Sequence, residues 1–355
     1  MSTAKRLVRP EIGALKAYVA ATYQDGMARL NANETPWSPA GNATVSLGAL
    51  NQYPEERPLQ LTQRLADYYG VPADQLLVTR GSSEGIDLLI RCFCSTGTDD
   101  IVISTPTFGM YRVYADVQGA GVRDIPLLKD DGFAVDADRI LGEWDERCKL
   151  LFVCSPNNPT GNAVPAETLE RLCKELQGKG MVVIDAAYTE FGNNDPTPLV
   201  ERYDNVVVLR TLSKALGLAG VRCGSLIANA EIVSYLQRVL PPYSYSTPCQ
   251  EAVLAALDDS NRALQQERIA LLVNERKRLE KAFAGLACFT EVAPSDANFL
   301  LVKAADPEAV LQAAASAGIL IRDFSKSAGT ENCFRITVGS PEQNDALLAA
   351  FSGLK

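Results

Sequence analysis

The 355-residue sequence predicts an α/β fold: a large domain on a mostly parallel sheet with flanking helices, then a smaller α+β domain. Three observations predict it. Between about residues 55 and 250, short apolar runs of strand length alternate with helical stretches, as parallel strands joined by helical crossovers do. Three of those runs end in loops carrying polar side chains, and in open α/β sheets that edge is where ligands bind. A linker rich in proline and tyrosine, Pro241 to Pro248, then introduces a different order of elements.

The elements follow in order. Residues 1–29 read as an N-terminal arm with a helical stretch near Pro10 to Tyr18, and Glu34 to Pro39 as a proline-bearing loop. Gln75 to Thr79 and Asp100 to Ser104 are strand candidates. The helix between them starts at Gly81-Ser82-Ser83. A strand, a small-residue turn and a helix start form a phosphate cradle, because first-turn N–H groups point at the anion; an ordinary helix cap has the same pattern. Leu150 to Cys154 is a buried strand ending in Ser155-Pro156-Asn157-Asn158-Pro159-Thr160-Gly161. Met181 to Ile184 ends in Asp185-Ala186-Ala187-Tyr188, and Asn205 to Leu209 leads into a lysine segment. Beyond the linker come a long helix, Cys249 to Phe283, a strand at Asn298 to Val302, a helix around Asp306 to Ala317, and strands at Ile319 to Arg322 and Phe334 to Val338. The expected division is an arm at 1–29, a large domain at 30–248 and a small domain at 249–355.

The lysine segment, Thr211-Leu212-Ser213-Lys214 to Arg222, sets an amine beside a hydroxyl, with an arginine eight residues on. Those parts suit a Schiff-base lysine with Ser213 and Arg222 clamping the phosphate of pyridoxal phosphate (PLP). A surface lysine near a helix start is the other reading. Asp185 suits the pyridine nitrogen, whose protonation makes the ring an electron sink. Asn157 and Tyr188 suit the ring hydroxyl as donors. Each has a plainer reading: a helix N-cap for Asp185, a turn for Asn157, a core side chain for Tyr188.

Taken together, these segments resemble the fold-type I PLP-dependent aminotransferases, and among them the histidinol-phosphate aminotransferases. Leu30-Asn31-Ala32-Asn33-Glu34, Asn51-Gln52-Tyr53-Pro54, Arg80-Gly81-Ser82-Ser83-Glu84-Gly85, Pro106-Thr107-Phe108-Gly109-Met110-Tyr111 and Phe334-Arg335-Ile336-Thr337-Val338-Gly339 extend the likeness over nearly the whole chain. The resemblance implies a seven-stranded cofactor domain and ping-pong transfer between histidinol phosphate and 2-oxoglutarate. It implies Lys214, Asp185 and Tyr188 as catalytic residues, with Gly81, Ser82, Ser83, Phe108, Asn157, Thr211, Ser213 and Arg222 also holding PLP. It implies a homodimer in which Tyr53 reaches the phosphate of the neighbouring subunit. An anionic substrate needs planar guanidinium forks. Arg335 is the first candidate, expected to receive glutamate's carboxylate as well, and Arg322 the second. Tyr18 and Asn33 are expected to face the imidazole or the phosphate.

The chain departs from the family at Ser83, where aspartate is common, at Phe108, where tyrosine is common, and at Ala186, where glutamate is common. Related readings are a threonine-phosphate decarboxylase or an aromatic amino-acid aminotransferase, because one fold hosts many reactions. A PLP-sensing regulator would need a DNA-binding module in front.

Composition bounds the rest. A net charge of −9 and a pI near 4.9 argue against nucleic acid, so local arginines must draw in an anionic substrate. No apolar run approaches the ~20 residues of a membrane span, and no signal-peptide pattern follows Met1, so the cytoplasm is expected. The nine cysteines suggest no disulfide framework and no metal site. The absence of histidine excludes His-based nucleophilic triads and leaves proton transfer to Lys214.

Overall fold

The computed structural model describes residues 22, 24–40 and 50–354. The expected helix near Pro10 to Tyr18 lies outside them. Twelve strands among the described residues form two sheets. They are β1 (Ala28–Leu30), β2 (Leu76–Thr79), β3 (Asp100–Ile103), β4 (Gly121–Asp124), β5 (Cys148–Cys154), β6 (Met181–Asp185), β7 (Val206–Thr211), β8 (Gly224–Ala228), β9 (Phe289–Val292), β10 (Phe299–Ala304), β11 (Ile319–Asp323) and β12 (Cys333–Thr337).

Seven strands, in the order β2-β8-β7-β6-β5-β3-β4, make the large sheet. Pairings from β4 to β7 are parallel, while β8 runs antiparallel to both β7 and β2. The apolar runs are continuous because both faces are covered. In β6, Val182 and Ile184 face one core cluster and Val183 the other; in β7, Val206 and Val208 oppose Val207 and Leu209. All of these side chains are fully buried. Strand β8 is not evident from the sequence, because the small residues Gly224 and Ser225 weaken its strand signal. Gly224 is needed there: a Cβ would lie 2.4 Å from the Gly81 carbonyl carbon.

The small sheet has the order β1-β11-β12-β10-β9. Strand β1 pairs in parallel with β11, so a segment from the N-terminal side completes a sheet otherwise built after residue 288. The single helix expected from Cys249 to Phe283 is two helices, Thr247–Ala256 and Arg262–Ala284. The interruption is polar capping: the Asp258 carboxylate accepts from the Ser260 N–H, and Asn261 donates to the Ala255 carbonyl. No helix among the described residues is long and apolar enough to cross a membrane.

Candidate active site

Parallel strands β5, β6 and β7 deliver their C-terminal loops to one edge, and a cavity of about 580 Å³ opens there. Lys214, three residues past β7, lines it. Its Nζ donates to the Ala32 carbonyl at 2.9 Å and lies 5.8 Å from the centre of the Tyr188 ring. Burial, then the positive field of Arg335, pulls the ammonium down from 10.5 to about 8, with Glu34 and Asp185 opposing. Roughly a tenth of it is the neutral base at pH 7, and a neutral amine is what nucleophilic or base chemistry requires.

One end of the cavity is built for an anion. The helix Ser82–Phe93 starts on Gly81, whose φ of 75° disfavours other residues, and Ser82 and Ser83 line the cavity at its first turn. A Cβ at Gly81 would also stand 2.7 Å from Arg222 Nη2. Thr211, Ser213 and Arg222 complete this end. The Thr211 hydroxyl is 3.1 Å from Ser213 Oγ, and Arg222 Nη1 donates to Ser213 Oγ at 3.4 Å.

At the end of β6, Asp185 is only 2% exposed. Its carboxylate accepts from the Tyr111 hydroxyl at 2.8 Å and the Ala187 N–H at 3.3 Å. No lysine or arginine among the described residues forms an ion pair with it. Burial raises its pKa from 3.8 to about 6, against the hydrogen bonds and the field of Lys214. Tyr111 is fully buried, stacked on Phe152 at 4.9 Å and edge-on to Phe108 at 5.7 Å. Its contact with Asp185 spans 74 residues, which local pattern does not reveal. Phe108 lines the cavity.

Tyr188, just past β6 of the large sheet, meets Asn33, which Thr337 of the small sheet holds. Asn33 Nδ2 donates to the Tyr188 hydroxyl at 3.1 Å, while the Thr337 hydroxyl donates to Asn33 Oδ1 at 3.0 Å. Burial pushes the Tyr188 phenol well up, so it stays a hydroxyl donor at neutral pH. Arg335, 7% exposed, donates to Asn158 Oδ1 at 2.6 Å and to the Asn31 carbonyl at 2.9 Å. Arg322 is Arg335's register partner across β11 and β12, and both line the cavity.

Asn157 is the exception. Its amide donates to the Pro106 carbonyl and to Thr160 Oγ1, and its carbonyl accepts from Thr107, so the side chain closes the loop instead of lining this cavity. The next residue, Asn158, lines it. Two adjacent asparagines differ in sequence only by position, and the loop backbone decides which one points in. Tyr53 lies on the surface, 84% exposed and stacked on Tyr243 at 5.0 Å, and does not line its own chain's cavity. Tyr18 lies outside the described residues.

These groups fit pyridoxal phosphate. Hydroxyls, a helix start and an arginine match a phosphate, and a buried carboxylate without a cation partner matches a protonated pyridine nitrogen. An amine lies on the same cavity wall, and the volume falls within the usual range for small-molecule sites. The family model for aminotransferase class I and II matches residues 29–351. The chain belongs to this family. A histidinol-phosphate aminotransferase of Stenotrophomonas maltophilia is 40% identical to this aminotransferase over 351 residues, covering 98% of this chain and 96% of the relative. One from Xanthomonas campestris pv. campestris is 42% identical over 357 residues, covering 99% and 98%. Among solved structures, the histidinol-phosphate aminotransferase of Sinorhizobium meliloti in complex with pyridoxal-5'-phosphate superposes with a TM-score of 0.84 at 24% identity, covering 98% and 96%, and shares the aminotransferase's fold.

Proposed function

We propose that this aminotransferase moves the amino group of histidinol phosphate to 2-oxoglutarate, giving imidazole-acetol phosphate and glutamate, as a step of histidine synthesis. The observation that carries the reading is the pairing of Arg322 with Arg335. The two face each other in register across an antiparallel pair and both line the cavity. Two guanidinium forks side by side on one cavity wall suit an anionic substrate group. The whole-length identity to curated histidinol-phosphate aminotransferases supports the same substrate.

Bound here, pyridoxal phosphate supplies an aldehyde that condenses with amines and a ring that delocalises electrons released at a substrate carbon. The protein supplies the rest. Ser82, Ser83, Thr211, Ser213 and Arg222 hold the phosphate. Asp185 keeps a proton on the pyridine nitrogen, because an anion there favours the cationic form. Tyr188 and Asn158 offer donors to the ring hydroxyl, and Phe108 an apolar face. The Lys214 amine takes the proton from the substrate carbon and returns it one atom away. With no histidine in the chain, no imidazole competes for that role.

The working unit is a homodimer in the cytoplasm. Tyr53 and Tyr243 form an exposed aromatic stack, and Leu50 and Leu59 are also exposed. This exposed apolar surface supports contact with a second copy, in which Tyr53 would reach its partner's phosphate site as the family resemblance implies. The function is tested by mixing the PLP-loaded enzyme with histidinol phosphate alone. One equivalent of imidazole-acetol phosphate per site is expected, followed by regeneration with 2-oxoglutarate. Failure to form that ketone, or release of carbon dioxide from threonine phosphate instead, would overturn the reading.

A further inference from the structure

A third arginine belongs to the substrate end. Strand β1 aligns Arg29 with Leu320 of β11, and Arg322 follows Leu320 by two residues. Residues two apart on a strand share a face. Arg29, Arg322 and Arg335 therefore lie on one face of the small sheet, on three adjacent strands, and all three line the cavity. Arg29 is tethered: its Nε lies 3.3 Å from Glu34 Oε2, and both side chains are about one-third exposed (34% and 32%). The six residues from Arg29 to Glu34 touch much of the machinery. The Asn31 carbonyl holds Arg335, the Ala32 carbonyl holds Lys214, and Asn33 holds Tyr188.

We propose that Arg29 is a specificity-determining residue that binds the phosphate monoester of the amino donor, and that Glu34 competes with the phosphate for it. This rests on the reading of histidinol phosphate as donor. A phosphate monoester concentrates nearly two charges and three acceptor oxygens at one point at neutral pH. A single carboxylate is satisfied by one guanidinium fork. A third cation on the same face therefore favours the phosphate over either carboxylate of glutamate. Between phosphate-bearing substrates, Glu34 neutralises Arg29 and limits repulsion among the three arginines.

The test uses PLP-loaded enzyme in single-turnover half-reactions, measuring half-saturation for histidinol phosphate and for glutamate. Inhibition by a phosphate monoester lacking the amine gives a second readout. Arg29→Gln should raise half-saturation for histidinol phosphate about tenfold, the scale of one charge-assisted hydrogen bond. The shift for glutamate should be under about threefold by the same scale, and the inhibitor should weaken in parallel with histidinol phosphate. Arg29→Lys, which keeps the charge, should recover most of the loss. Glu34→Gln should move in the opposite direction and tighten the phosphate monoester, because it removes the carboxylate that competes for Arg29. If Arg29 serves only its ion pair, both variants break the same contact. Arg29→Gln and Glu34→Gln would then shift alike, for both substrates, and that result overturns the proposal. Wild-type enzyme that does not convert histidinol phosphate would instead overturn the functional reading beneath it.

Discussion

Replacing Asp185 with asparagine should stabilise the cofactor-free protein while crippling its hold on PLP. In the folded chain the Asp185 carboxyl is raised from 3.8 to about 6, chiefly by burial. The folded state therefore binds more protons than the unfolded state between about pH 4 and 6, and stability from this group falls as pH rises through that window. A shift of about two units corresponds to roughly 3 kcal/mol at pH 8, and to about half of that at pH 5, where the folded carboxyl is already mostly protonated. Asp185→Asn removes the buried charge and keeps a partner for the Tyr111 hydroxyl and the Ala187 N–H. The cofactor-free variant should thus gain up to about 3 kcal/mol in urea unfolding at pH 8, and about half as much at pH 5. PLP affinity should change in the opposite sense, by at least about a hundredfold, on the scale of breaking a buried ion pair. The pair of measurements is urea unfolding of stripped protein across pH 5 to 8 and PLP titration by fluorescence. A variant less stable at pH 8, or a gain that does not shrink toward pH 5, would refute the account of Asp185 as a strained carboxylate awaiting a cation.

Three further outcomes are expected. Arg335→Gln removes a positive neighbour of Lys214 and should raise the Lys214 pKa above its present value of about 8; the pH midpoint for acylation of Lys214 in cofactor-free protein reads it directly, and an unmoved midpoint would show that the field of Arg335 does not reach the amine. Asn157→Ala should cost about 1–3 kcal/mol of folding stability, because buried partners are left unsatisfied, whereas Asn158→Ala should act mainly on PLP and substrate affinity; thermal unfolding with PLP titration separates them, and exchanged effects would reverse the assignment. Mixing Lys214→Ala homodimers with Tyr53→Phe homodimers under subunit exchange should create sites with wild-type Lys214 and a wild-type tyrosine from the partner subunit; those sites should bind PLP as tightly as wild type, and persistently weak binding would mean Tyr53 does not cross the interface.

The sequence showed the parts of the site that depend on local order. Asp185 and the lysine segment follow short apolar runs that read as buried strands, and a glycine and two serines follow another. What stayed hidden depends on pairing between distant segments. The β8 strand, the alliance of β1 with β11, and the in-register arginines exist only once the sheets form. The choice between Asn157 and Asn158 is likewise set by where the folded loop spends its hydrogen bonds. Tyr111 is the most consequential of these. In a chain without histidine, the group bound to Asp185 is a phenol whose own ionisation burial drives far above neutral. It stays a hydroxyl that donates to the Asp185 carboxylate at neutral pH. On the proposed reading, Asp185 would hold the pyridine proton as a fixed electrostatic partner, and the proton that moves during transfer would fall to Lys214, whose pKa of about 8 lies within reach of physiological pH.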